Sequence, residues 1–103
     1  MSSTEAYIKT VTAANPVDIA TLVNHIVQDA LDQSSSDIHI EPWEDIIGVR
    51  IRTSGMLRLL CYIPLEFHSL ICGRVKVMAN MASHRHDVPQ DGKAAPPEFD
   101  GVQ

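Results

Sequence analysis

At 103 residues the chain is long enough for one compact domain and little more. Its 45% apolar content suits a globular core, and its formal charge of −5 argues against a free-standing nucleic-acid binder. No apolar run approaches the roughly 20 residues of a membrane span, and the opening Met-Ser-Ser-Thr-Glu lacks the pattern of a signal peptide, so a cytoplasmic location is expected.

Residues 1–14 are small and polar and read as a flexible lead. Asn15-Pro16-Val17-Asp18 reads as a helix start, with Asn15 as N-cap and Pro16 at the first helical position. Ile19, Leu22, Val23, Ile26, Val27 and Ala30 follow at helical spacing as one apolar stripe. His25, Gln28, Asp29 and Asp32 fall on the opposite side, and the helix should fade at Gln33-Ser34-Ser35. Asp37-Ile38-His39-Ile40-Glu41 then alternates strictly, the period of a strand with one dry face and one wet face, and Pro42 should end it. A second strand is expected over about 47–52. Ile47, Val49 and Ile51 share one of its faces and Gly48, Arg50 and Arg52 the other. Thr53-Ser54-Gly55 is a hairpin signal. A third strand, about 56–62, is apolar on both faces apart from Arg58 and reads as central or covered twice. Ile63-Pro64 should start a second helix with Phe67, Leu70, Ile71, Val75 and Met78 as its stripe, and Gly73 suggests close packing. Beyond Ala82 the pattern breaks into a polar loop, the Pro89-Gln90-Asp91-Gly92 turn and a Pro-rich tail. It has the look of a segment of a longer protein. The expected fold is α+β, a mostly antiparallel sheet against two main helices.

Charge is polarised along the chain. Lys9 is the sole basic residue among residues 1–49, and Arg50, Arg52, Arg58, Arg74, Lys76, Arg85 and Lys93 all follow. They are either scattered or a local anion-facing surface. Pairing the first two strands with Ile40 opposite Val49 sets His39 against Arg50 and Asp37 against Arg52; a slip of two residues sets Asp37 against Arg50. Either way acids and arginines share the wet face. They form a structural ion-pair ladder, or a rigid strand whose arginines meet phosphate while Asp37, His39 and Glu41 fix them. Cys61 and Cys72, in apolar runs without CxxC spacing, read as buried free thiols. His84 and His86 have no second clustered pair, so no metal site is expected. No GxxxxGK[ST], GxGxxG or nucleophile elbow occurs, and no catalytic residue is assigned.

Four blocks carry a resemblance: Ser36-Asp37-Ile38-His39-Ile40-Glu41-Pro42; Val49-Arg50-Ile51-Arg52 with Gly55; Arg74-Val75-Lys76-Val77-Met78-Ala79; and Pro89-Gln90-Asp91-Gly92. In this order and spacing they resemble the GspE/PilB-type ATPases of type II secretion and type IV pilus assembly, over about residues 16–92. The resemblance implies the PAS-like N-terminal (N2) domain of such an ATPase. Its parts would be a lead at 1–14, a PAS-like α/β domain at 15–82, and a linker at 83–103 toward a RecA-like core carrying the Walker motifs. It implies that Arg50 and Arg52, with Arg85 in the pre-core loop, reach ATP phosphates as the lobes close, while Asp37, His39 and Glu41 give structural support. ATP and Mg2+ belong to the full-length protein. No cofactor, and no hydrolysis, is expected of this chain alone.

The implied partners are the RecA-like cores of the same and neighbouring subunits in a homo-hexamer, and inner-membrane platform proteins that hold the machine at the membrane. Nucleic acid is not among them. Two features depart from the family pattern. Ser54-Gly55 replaces Asp-Gly, and Arg85-His86-Asp87-Val88 replaces Glu-Arg-Arg-Leu. The altered loop supports an alternative, a stand-alone degenerate PAS-like interaction module without a nucleotide role. A third reading, a PAS-like small-molecule sensor, follows from fold analogy.

Overall fold

A computed structural model describes residues 2–83 and 98–100. The elements are α1 (Ser3–Ile8), α2 (Ile19–Asp32), β1 (Asp37–Pro42), β2 (Ile46–Thr53), β3 (Met56–Pro64), a 3-10 turn (Leu65–Phe67), α3 (His68–Ser83) and β4 (Glu98–Asp100). The sheet order is β3-β2-β1-β4, antiparallel except that β4 runs parallel to β1. This is the α+β class, a mostly antiparallel sheet with α2 and α3 as its main helices.

The alternating strands account for the layering. Ile38 and Ile40 of β1 and Ile47, Val49 and Ile51 of β2 are buried on one sheet face. Leu22, Val23, Ile26 and Ala30 of α2 and Ile71 of α3 complete the same core. α2 ends where Ser34 turns left-handed (φ 54°). The amides of Ser34 and Ser35 then reach back to the carbonyls of Leu31 and Ala30, closing the last turn as a Schellman motif. The β2–β3 hairpin turns on two positive-φ residues, Ser54 (52°) and Gly55 (79°), which gives the two-residue geometry that matches strand twist.

Several expectations change. Residues 3–8, read as part of a flexible lead, form α1, with a capping box between Ser2 and Glu5. α1 lies against α2 and β3. Its N-terminal amides reach Asp29, which is 6% exposed rather than on a wet helix face. The cap of α2 is Asp18, not Asn15. The Asp18 carboxylate accepts from the amides of Ala20 and Thr21, while Asn15 closes a separate turn with Thr12. Ile63 and Pro64 finish β3 instead of starting a helix, and the apolar stripe that follows is Phe67 of the 3-10 turn with Ile71, Val75 and Met78 of α3, Leu70 being exposed.

β3 is an edge strand, not a central one. Val49 pairs with Cys61 and Arg50 with Leu59, so Leu60 is an extra residue, a bulge. The bulge lets Leu60 and Cys61 both enter the core while Met56, Leu59 and Tyr62 stay exposed. Gly73 faces open space, since a Cβ there would meet no neighbour within 4 Å. Gly73→Ala should therefore stabilise the domain by up to about 1 kcal/mol, read as a higher denaturation midpoint. A loss of stability would mean a close contact at that position.

Candidate functional site

The face of the sheet turned away from the helices gathers acids, a histidine and two arginines from β1 and β2. The observed register pairs Asp37 with Arg52, His39 with Arg50 and Ile40 with Val49, the first of the two registers the pattern allowed. Because side chains alternate, Asp37, His39 and Glu41 lie beside Arg50 and Arg52 on one face, while Ile38, Ile40, Ile47 and Ile51 turn inward.

The two arginines are held differently. Arg50 reaches diagonally to Glu41 rather than straight across to His39. Its Nε donates to Oε1 at 2.9 Å and its Nη2 to Oε2 at 2.8 Å, a bidentate fork. Arg52 has looser partners: its Nε lies 3.3 Å from Asp37 Oδ1, and its Nη1 donates to the Gly55 carbonyl at 3.4 Å. Asp37 does not depend on Arg52. The Ser36 hydroxyl donates to it at 2.7 Å, and His39 Nε2 lies 2.5 Å from its Oδ2. Both arginine side chains remain more than a third exposed.

The carboxylates titrate accordingly. Hydrogen bonds from Ser36, then from His39, and the charge of Arg52 hold Asp37 below its ordinary range. Arg50 does the same for Glu41, with a smaller contribution from the Trp43 indole, and Glu41 in turn raises Arg50. A carboxyl depressed in the folded state stabilises the fold above its unfolded value, and that contribution is lost as pH falls through the folded value. The denaturation midpoint should therefore hold level above the ordinary values of 4.5 and 3.8 and fall below them. Glu41→Gln should flatten part of that fall. An equally steep acid limb in the variant would contradict the pairing.

Beside the ion pairs lies an apolar border. A Cβ on Gly48 would sit 2.4–2.7 Å from the Trp43 ring, so only glycine lets the indole lie on β2. Trp43 meets Tyr62 edge-on at 5.8 Å, and Leu57 and Leu59 of β3 stand in register with Arg52 and Arg50. Trp43 escaped the sequence reading. The signal that could have found it is a strand glycine on the wet face with a tryptophan one turn earlier.

The described basic residues of the second half do not share one surface. Arg50 and Arg52 line the outer face, Arg58 stands in register with inward-facing Ile51, and Arg74 and Lys76 ride on α3. Arg74 Nε is buried without a hydrogen-bond partner among the described residues. Arg85, Lys93, His84, His86 and the Pro89–Gly92 turn lie outside the described residues. Cys61 and Cys72 are buried thiols outside any disulfide among the described residues, and burial pushes Cys61 up to about 12, helped by the charges of Glu5 and Asp29. Among the described residues no helix is long and apolar enough to cross a membrane.

Residues 12–95 match the model of the family described as "Type II/IV secretion system protein". The chain is 40% identical over 80 residues to the type IV pilus assembly ATPase PilB of Pseudomonas aeruginosa, covering 78% of this chain and 14% of that protein. It is 39% identical over 75 residues to the type II secretion system ATPase E of Vibrio cholerae, covering 73% and 15%. It is also 36% identical over 81 residues to PilB of Myxococcus xanthus, covering 79% and 14%. The chain thus spans about one seventh of the length of these relatives. The chain belongs to the type II/IV secretion system protein family.

Proposed function

We propose that this chain is the PAS-like N-terminal domain of a hexameric secretion or pilus-assembly ATPase, and that its outer sheet face turns toward ATP phosphates held, with Mg2+, on a RecA-like core. The observation that carries the reading is the arginine pair on the rigid outer face of β2, exposed and aimed away from the domain's own core. The names of the relatives supply the machine class. In this role the domain supplies charge and leverage rather than a hydrolytic site. A guanidinium on a stiff strand needs little reorganisation to meet developing negative charge, and it withdraws when the lobes part. The partners are then the cores of the same and neighbouring subunits and a membrane platform, which holds the cytoplasmic assembly at the inner membrane.

The test is ATP turnover by the intact ATPase carrying Arg52→Ala. Loss of one such donor typically costs about 100-fold or more in turnover, and a drop of that order is expected here. Arg52→Lys should recover part of it as a point charge. Turnover within a factor of two of the parent would sink the phosphate role.

A further inference from the structure

The two buried cysteines have different surroundings. Cys61 sits in the core, where burial and the charges of Glu5 and Asp29 push it up to about 12. Cys72 is also buried, at 6% exposed, yet it stands outside the contiguous apolar core that holds Cys61 and Ile71. Its sulfur meets an imidazole instead. We propose that Cys72 and His68 form a reactive thiol–imidazole pair, and that Cys72 is the site at which small hydroperoxides oxidise this domain.

The helix sets the pair. His68 opens α3 and Cys72 follows four residues later, the spacing at which side chains on one helix face meet. His68 Nε2 lies 3.6 Å from Cys72 Sγ and Nδ1 lies 3.9 Å from it. Whichever ring nitrogen lacks a proton can therefore receive the one on sulfur. α3 carries no acid, and Arg74 and Lys76 follow on the same helix. The acid nearest in sequence, Glu66 of the 3-10 turn, is exposed. A thiolate formed at Cys72 meets basic groups along its own helix, whereas Cys61 has two carboxylates for company. Basic surroundings are what make a cysteine nucleophilic.

Access limits the reagent. His68 is half-buried, and Gly73 beside Cys72 is exposed, with open space where a Cβ would stand. A nearly covered thiol next to that opening suits a molecule the size of hydrogen peroxide better than a bulky disulfide. His68 takes the thiol proton, a sulfur lone pair attacks one peroxide oxygen, and the O–O bond breaks. The leaving hydroxide recovers the proton from the imidazolium and departs as water. Sulfur loses two electrons, peroxide gains them, and Cys72 becomes a sulfenic acid. The added oxygen has to fit one residue away from fully buried Ile71, so oxidation strains the packing of α3.

The test treats the 103-residue chain with hydrogen peroxide in the presence of dimedone, which traps sulfenic acids, and follows each cysteine by peptide mass spectrometry. Cys72 should gain the adduct at least about tenfold faster than Cys61. In His68→Gln, whose amide cannot take the proton, the Cys72 rate should fall at least about tenfold. Cys61 should stay silent in that variant, which reports a closed core. If His68→Gln opens the core and Cys61 reacts, His68→Asn is read in the same way. Comparable rates at the two cysteines of the parent, no adduct at Cys72, or a Cys72 rate within about a factor of two of the parent in a closed-core variant would overturn the pair. Peroxide alone should also lower the melting temperature of the parent by about 5 °C and leave Cys72→Ser unmoved. An oxidised parent that melts like the untreated chain would overturn the strain on α3.

Discussion

Asp29→Ala is expected to release α1 from the domain and expose Cys61. One carboxylate does three jobs: Oδ1 accepts the Ser3 amide at 3.0 Å, and Oδ2 accepts the Thr4 amide at 2.8 Å and the Thr4 hydroxyl at 2.6 Å. Thr4 is fully buried and Asp29 nearly so, and the stranded donors stay out of reach of bulk solvent while α1 is docked. Each orphaned buried donor costs about 1–3 kcal/mol, so the six-residue helix undocks instead and limits the total to about 2–3 kcal/mol. The Tyr7–His25 stack, with ring centroids 5.1 Å apart, and the Ser3–His25 hydrogen bond go with it. A melting temperature lower by about 10–20 °C should follow. Thiol labelling near pH 8 should accelerate at least about tenfold, because a cysteine held at about 12 by burial is nearly inert until that burial is relieved. Unchanged labelling would mean that α1 does not shield Cys61.

Ile38→Ala should cost more. Ile38 is fully buried on β1 between the sheet and α2, in a core whose largest members are mostly isoleucine and leucine. Removing a buried aliphatic side chain to alanine costs about 2–5 kcal/mol, transfer and cavity together. A domain of this size holds about 5–15 kcal/mol in all, so the variant should be marginally folded at 37 °C. Leu59→Ala on the edge strand, where the side chain is 47% exposed, should stay within about 1 kcal/mol of the parent. Equilibrium denaturation of the two variants checks both. The reverse ranking would place the inner and outer faces of the sheet the wrong way round.

These two sites also mark what the sequence makes legible. The β1–β2 pair was readable because both strands alternate without a break, and only one face of each can be buried. The Arg52–Asp37 pairing followed from the register. Arg50 crossed to Glu41 instead of His39 because a fork needs two carboxylate oxygens, which no alternation rule encodes. β3 was misread because Leu60 bulges, which breaks the period, and because exposed Leu59 and Tyr62 mimic a strand covered on both faces. α1 left no apolar stripe to read. It is fixed by a carboxylate 25 and 26 positions along the chain, and a contact of that range has no local signature. The strand at Glu98–Asp100 was hidden in a tail for the same reason, since its partner β1 lies far upstream.

The phosphate role of Arg52 is tested most directly by a structure of the intact ATPase closed on a non-hydrolysable ATP analogue. The Arg52 guanidinium should lie within about 3 Å of a terminal phosphate oxygen. Asp37 should remain bound to Ser36 and His39, and Arg50 should remain forked on Glu41. An Arg52 that remains on Asp37 while the outer sheet face turns away from the nucleotide would contradict that role.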